Sequence, residues 1–319
     1  MTLATWMMEN MQPSAIRSDW AEVDGARMHY MVTGSGPPVI LIHGIIGSAF
    51  SWRRNMRPLA HDATVYAIDL LGLGQSDRVP GLDASMSATA ERVIAFMDAL
   101  HLQTADVVGT AHGGAIAMLL AARYPERVGK LVLVAPANPY SDLSDAIIRF
   151  YRTALGKWFV LQVPFLPEPV QDIALGRMYG DPARVPPGTL ANYVSALQIP
   201  GTAQHVMNIL NCWFEDMQQV SEALPRLEDK PMLLLWGDKD RAVSLSSAHK
   251  LNEVLHRSVL TVLEGAGHLP YEEMPGEVNS RLREWLAPPY RRGDANGKVA
   301  RSKRDLRLSN LRLVHGEGD

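Results

Sequence analysis

At 319 residues, with 47% hydrophobic and 20% charged residues and a formal net charge of -3, the chain has the composition of an ordinary globular protein able to bury a sizeable core. That balance argues against nucleic acid or an acidic membrane as a partner, and no apolar run approaches the ~18 residues that span a bilayer. The one cysteine, Cys212, excludes an internal disulfide and offers no metal-ligand spacing, so a buried, inert thiol is expected. Met1 to Met11 carries Trp6, Met7 and Met8 but no basic residue, a poor signal peptide, and a cytoplasmic location is the expectation.

Residues 1–19 show no clear period and read as an N-terminal extension. Trp20 to Val32 alternates around Asp24-Gly25, a strong hairpin signal, and predicts two antiparallel strands. Val39 to His43 and Thr64 to Leu70 follow as short buried strands. Ser87 to Leu100 has helical spacing of Val93, Ile94, Met97 and Leu100, with Ser87 as the expected N-cap. Next come an apolar strand over Asp106 to Gly109, an Ala/Leu-rich helix from Ala115 to Ala122, and a strand from Lys130 to Ala135. Strands alternating with helices predict an α/β protein with a doubly wound, mostly parallel sheet.

From Pro136 to about Leu227 the alternation stops. Candidate helices over Leu143–Phe159, Pro167–Met178, Pro187–Leu197 and Thr202–Leu224 read as a helical cap inserted in the sheet domain. Strands at Pro231–Trp236 and Val259–Leu263 resume the pattern, and Pro275–Leu286 is a closing helix. The expected organisation is a core over 20–136 and 228–287, a cap over 137–227, and a tail over 288–319. That tail carries Arg291, Arg292, Lys298, Arg301, Lys303, Arg304, Arg307 and Arg312 against Asp294, Asp305, Glu317 and Asp319, and reads as a solvated, disordered segment.

Five motifs carry the chemistry. His43-Gly44-Ile45-Ile46-Gly47-Ser48 follows a buried strand. Asp69-Leu70-Leu71-Gly72-Leu73-Gly74-Gln75-Ser76 has a D-x-x-G-x-G-x-S pattern. Gly109-Thr110-Ala111-His112-Gly113-Gly114 is a G-x-S-x-G turn with alanine where serine is expected. Trp236-Gly237-Asp238-Lys239-Asp240 and Gly265-Ala266-Gly267-His268, with Glu273 and Pro275 downstream, complete the series. In this order the five resemble the α/β-hydrolase fold family over about Trp20 to Leu286. The resemblance implies that Ala111 holds the nucleophile position, His268 is the base, and Asp240 rather than Asp238 orients it. It also implies an oxyanion hole built from the backbone N–H groups of Ile45 and His112, which do not depend on the missing hydroxyl. Asp69, Gly72, Gly74 and Ser76 read as turn-forming. His43 braces its loop or borders the substrate. In the cap, Tyr151, Trp158, Phe159 and Trp213 are candidates to line an apolar pocket or to be ordinary core.

Four readings of the alanine compete: an engineered replacement of serine; a natural enzyme using the His268–Asp240 dyad without covalent catalysis, as some relatives in lyase and cofactor-free oxygenase chemistry do; a non-catalytic binding protein; or a shifted frame with Thr110 or His112 as nucleophile. Only Ala111 is flanked by glycines two positions away on each side, which disfavours the last. The scaffold implies a small-molecule substrate, an ester, thioester or lactone of moderate apolarity, with no metal and no cofactor. Oligomeric state is not encoded in any motif.

Overall fold

The computed structural model describes residues 15–287. Chain contacts divide the molecule into Met1–Trp285 and Leu286–Asp319. The second unit lies almost wholly outside the described residues, as do residues 1–14, so the expected basic tail and most of the expected extension fall outside the description.

An eight-stranded sheet runs through the first unit in the order β1-β2-β4-β3-β5-β6-β7-β8. β1 (Arg17–Val23) and β2 (Ala26–Gly34) form the expected hairpin, with Asp24 at φ 52° and Gly25 at φ 74°. Two successive positive φ values are those of the tight turn that follows right-handed strand twist. β1 starts at Arg17, inside the segment read as an extension. Its first four residues are all exposed on the sheet's edge, so they carry none of the alternation that marks a half-buried strand. β2 pairs antiparallel with β4 (Thr64–Ile68), and from β4 onward every pairing is parallel: β4 with β3 (Pro38–Ile42), then β5 (Ala105–Thr110), β6 (Val128–Val134), β7 (Met232–Gly237) and β8 (Ser258–Leu263). Strands covered on both faces become continuous apolar runs, and β7, Met-Leu-Leu-Leu-Trp-Gly, is buried at every residue.

The helices are α1 (Met56–Leu59), α2 (Met86–Ala99), α3 (Ala111–Arg123), α4 (Asp142–Tyr151), α5 (Ala154–Gln162), α6 (Glu168–Gly176), α7 (Thr189–Gln198), α8 (Thr202–Ala223), α9 (Leu245–Val254), α10 (Pro270–Glu273) and α11 (Pro275–Leu286). The N-cap of α2 is Ser85, not Ser87: the Ser85 hydroxyl accepts from the Ala88 N–H, while Ser87 lies inside the helix. The single helix expected over Leu143–Phe159 is two, broken at Arg152-Thr153, and a Cβ at Gly156 would run into the Phe150 carbonyl. Helix α9 has no sequence forecast because only Ser247, Ala248 and Leu251 are buried, too few to set a period. Among the described residues no helix is long and apolar enough to cross a membrane.

Helices α4 to α8 lie between β6 and β7 and are tied to loops at the carboxyl ends of the strands. Tyr193 on α7 reaches Ser51 after β3, with 3.0 Å between hydroxyls. Arg78, after β4, donates to the Thr202 hydroxyl at the start of α8 at 2.8 Å. The Met178 carbonyl accepts from the His268 N–H at 2.7 Å. The helical segment therefore stands over the end of the sheet where open α/β folds place their ligands.

Candidate active site

β5 delivers the chain to Ala111, which opens α3 with φ 49°, a left-handed conformation unusual for a residue with a side chain. Such a backbone costs an L-residue roughly 1–2 kcal/mol, and close packing around it holds it in place. A Cβ at Gly109 would strike the Gly113 carbonyl, one at Gly113 would strike His43 O, and one at Gly114 would lie 2.7 Å from Pro136 Cβ. The Ala111 carbonyl accepts from Ala137 N at 2.9 Å. The strained turn that projects a side chain outward is thus complete, and it projects a methyl group.

The loop His43-Gly44-Ile45-Ile46-Gly47, expected to border an oxyanion, follows β3. Gly47 N donates to Gly44 O at 2.9 Å, and a Cβ on Gly44 would sit 3.3 Å from Ala111 Cβ, so the loop passes directly beside the elbow. Ile45 is the first central residue of that turn. His112 lies in the first turn of α3, where N–H groups have no intrahelical acceptor and the helix dipole favours negative charge. His43 is fully buried; its Nδ1 donates to Gly44 O at 2.7 Å and its Nε2 accepts from Leu70 N at 3.1 Å. Both ring nitrogens are engaged by backbone, which corrects its assignment to the substrate pocket and makes it the brace of the loop. Burial lowers its pKa, against the opposing charge of Asp69, and this accords with a neutral ring.

Asp240 follows β7 and His268 follows β8, at the same end of the sheet as Ala111. His268 Nδ1 and Asp240 Oδ2 are 2.8 Å apart. The other carboxylate oxygen accepts from Ala242 N at 2.8 Å and Val243 N at 2.9 Å, so backbone donors fix the side chain. Beside a carboxylate, Nδ1 carries the proton and Nε2 is left with its lone pair; among the described residues Nε2 has no hydrogen-bond partner. Burial pushes the His268 pKa down, but the charge and hydrogen bond of Asp240 outweigh it and leave the pKa raised. Asp238 does something else. Its Oδ1 accepts from Gly265 N at 2.7 Å and holds the histidine loop to the β7 loop.

Two neighbouring carboxylates have roles that sequence reasoning missed. Glu273 is buried and accepts from Gly180 N, Gly267 N, Asp181 N and the Arg184 guanidinium, at 2.8–3.1 Å. It clamps the helical segment onto the histidine loop. Glu272 pairs with Arg53 at 2.7 Å and accepts from Tyr179 and Tyr193. The pattern Gly-x-Gly-His followed by paired glutamates was the available signal, but apart from Gly267 the partners of those glutamates come from distant segments.

The His112 ring is buried and, among the described residues, neither nitrogen has a hydrogen-bond partner. Burial, with smaller contributions from His43 and His205, pushes its pKa down to about 3. The cap candidates do not converge. Trp158 is 55% exposed on the outside of α5, which removes it from any buried pocket. Trp213 is 6% exposed and packs in the main core, while Tyr151 and Phe159 are half-buried.

Comparison with known proteins fits this geometry. The sequence model of the alpha/beta hydrolase fold matches residues 37–275. An uncharacterized protein of Mycobacterium tuberculosis (strain ATCC 25618 / H37Rv) is 29% identical over 264 residues, covering 79% of this chain and 76% of its own. A 2-hydroxymuconate semialdehyde hydrolase of Pseudomonas sp. (strain CF600) is 27% identical over 269 residues, covering 82% and 91%. Among solved structures, a membrane phospholipase A described as a bacterial virulence factor superposes with a TM-score of 0.72 at 28% identity, over 85% of this chain and 86% of that one. The chain belongs to the alpha/beta hydrolase fold family.

Proposed function

We propose that the chain is a hydrolase acting on an ester, thioester or lactone bond of a small, moderately apolar molecule, with the His268–Asp240 pair as general base toward water. The observation that carries this reading is the 2.8 Å pair at the same end of the sheet as a strained elbow whose side chain is a methyl group. The relatives named as hydrolases support the reaction class.

In this reading the acyl carbonyl lies over Ala111 with its oxygen toward the Ile45 and His112 N–H groups. Water attacks the carbonyl carbon as its proton passes to His268 Nε2. Asp240 holds the imidazolium that results, and the two N–H groups take up the charge on oxygen. The tetrahedral adduct collapses as the bond to the leaving group breaks, and His268 returns its proton to that group. No covalent intermediate forms, because a methyl group cannot attack. In a serine protease, loss of the nucleophile costs roughly a millionfold in turnover while binding and the oxyanion hole keep roughly a thousandfold over water, so slow turnover is expected. The test is steady-state release of p-nitrophenolate from short-chain esters: His268→Ala should remove it, and an unchanged steady-state rate in that variant overturns the reading.

A further inference from the structure

A second aspartate–histidine pair is built from β2 and the loop after β4. His29 on β2 is buried, and its Nδ1 is 2.8 Å from Asp69 Oδ2. Asp69 is buried after β4 and also accepts from Ala49 N and Gln75 N. Nδ1 therefore carries the proton, and Nε2 is the acceptor. Nε2 is not empty: it lies 2.6 Å from the hydroxyl oxygen of Ser18 on β1. Ser18 is exposed. The sequence Ser18 Oγ, His29 Nε2, His29 Nδ1, Asp69 carboxylate is the hydrogen-bond chain of a serine nucleophile, its base and the base's orienting carboxylate.

We propose that Ser18 is a solvent-facing nucleophile, activated by His29 and Asp69, that accepts an acyl group from an activated aryl ester. Strand geometry supplies the rest of the site. His29 O accepts from Asp69 N, so the His29 backbone faces β4 and its partner across the hairpin, Trp20, directs its own backbone to the outer edge of the sheet, where no strand pairs among the described residues. Trp20 N accordingly bonds the Asp19 carboxylate at 2.8 Å rather than the ladder. Ser18, two residues away, shares that orientation, and its N–H lies on the open edge beside its own Oγ, where an ester oxygen can meet it. Trp20 is 44% exposed and meets the His29 ring edge-on at 5.0 Å. It shields the imidazole and gives an aryl group an apolar wall on the same face as Ser18.

The step balances without another reagent. The Ser18 oxygen attacks the ester carbonyl as its proton moves to His29 Nε2; the bond to the aryl oxygen breaks, and the phenolate leaves with that electron pair and takes up the proton. One acyl-serine ester and one phenol result.

The experiment uses the full chain with p-nitrophenyl acetate, reading the initial burst of p-nitrophenolate and the acetylated peptide by mass spectrometry. We expect a burst stoichiometric with protein and acetyl on Ser18, forming roughly a hundredfold faster than on an exposed serine without a base, such as Ser246, as general-base assistance implies. Ser18→Ala, a change at an exposed position, should remove the burst. In urea-unfolded chain Ser18 should react no faster than Ser246. Acetyl spread evenly over exposed serines in the folded chain, or an unchanged burst in Ser18→Ala, overturns the proposal. Because the burst is stoichiometric and steady-state turnover is not, this outcome is independent of the elbow.

Discussion

Two aspartate–histidine pairs in this molecule share one geometry and differ in what the far ring nitrogen meets. In both, Nδ1 lies 2.8 Å from a buried carboxylate that also accepts two backbone N–H groups. At the edge of the sheet the far nitrogen of His29 has a hydroxyl, that of Ser18. At the elbow, the residue that the proposed mechanism sets against His268 is Ala111, whose side chain is a methyl group and whose backbone holds φ 49°. The difference teaches that the costly parts of such a site are the buried carboxylate and the strained turn. The nucleophile is one substitution on top of them, so its absence says nothing about the soundness of the rest.

The largest test of that contrast restores the missing atom. Ala111→Ser keeps the backbone and adds only a hydroxyl, so kcat/KM for a short-chain p-nitrophenyl ester should rise by roughly a thousandfold or more, the scale on which a triad nucleophile acts. A rise below about tenfold would mean that His268 Nε2 does not address the elbow, and would break the parallel between the two pairs. In the Ala111→Ser background, His268→Ala should abolish the gain and leave the rate below that of the parent, whose own hydrolysis also depends on His268, because members of a triad act as a unit.

Next in size is the pH profile of the parent's own steady-state hydrolysis. His268 works as a base only when neutral, and its pKa is raised by Asp240. The rate should therefore climb with pH through a midpoint above the ordinary histidine value of about 6.5, and Asp240→Asn should lower that midpoint while cutting turnover by roughly 10²–10⁴. Stability should move the opposite way: a raised folded-state pKa contributes stability below the unfolded pKa and loses it as pH rises through the folded one. A rate flat across this range would separate His268 from the chemistry.

How much of this was legible beforehand follows from the range of each interaction. The strands β2 to β8 and the Asp24-Gly25 turn were readable because a short apolar run or a tight turn leaves a local imprint. The dyad residues were readable as a spaced motif, including the choice of Asp240 over Asp238, and the structure sets Asp240 against His268 while Asp238 holds Gly265 N. The pairing of Glu272 with Arg53 and Tyr193, and the bonds of Glu273 to the helical segment, were not readable, because they join segments far apart in sequence. Ser18 was invisible for a related reason: its residue type and its exposed strand are ordinary, and only the hairpin register sets it over His29.

Glu273 tests whether that non-local clamp matters energetically. Four donors converge on this buried carboxylate, and an amide cannot accept from all of them. Glu273→Gln should lower unfolding free energy by roughly 3 kcal/mol, in the range for breaking a buried charge network, read as a lower urea midpoint. A change under about 0.5 kcal/mol, the usual scale of surface substitutions, would show that the helical segment is held to the histidine loop by other contacts.

The smallest effect concerns His112, the imidazole that among the described residues lacks what His29 and His268 both have, a carboxylate partner. Burial holds its pKa near 3. Between that value and the ordinary 6.5 the unfolded chain binds a proton at this residue and the folded chain does not, so folding should weaken as pH falls through the window. The slope approaches about 1.4 kcal/mol per pH unit for one proton. His112→Phe removes the titrating group while keeping the backbone N–H and a buried ring. Urea midpoints taken between pH 6 and pH 4 should then fall less steeply for the variant than for the parent. Parallel curves would mean that His112 takes up its proton in the folded state, through a partner that meets one of its two bare nitrogens.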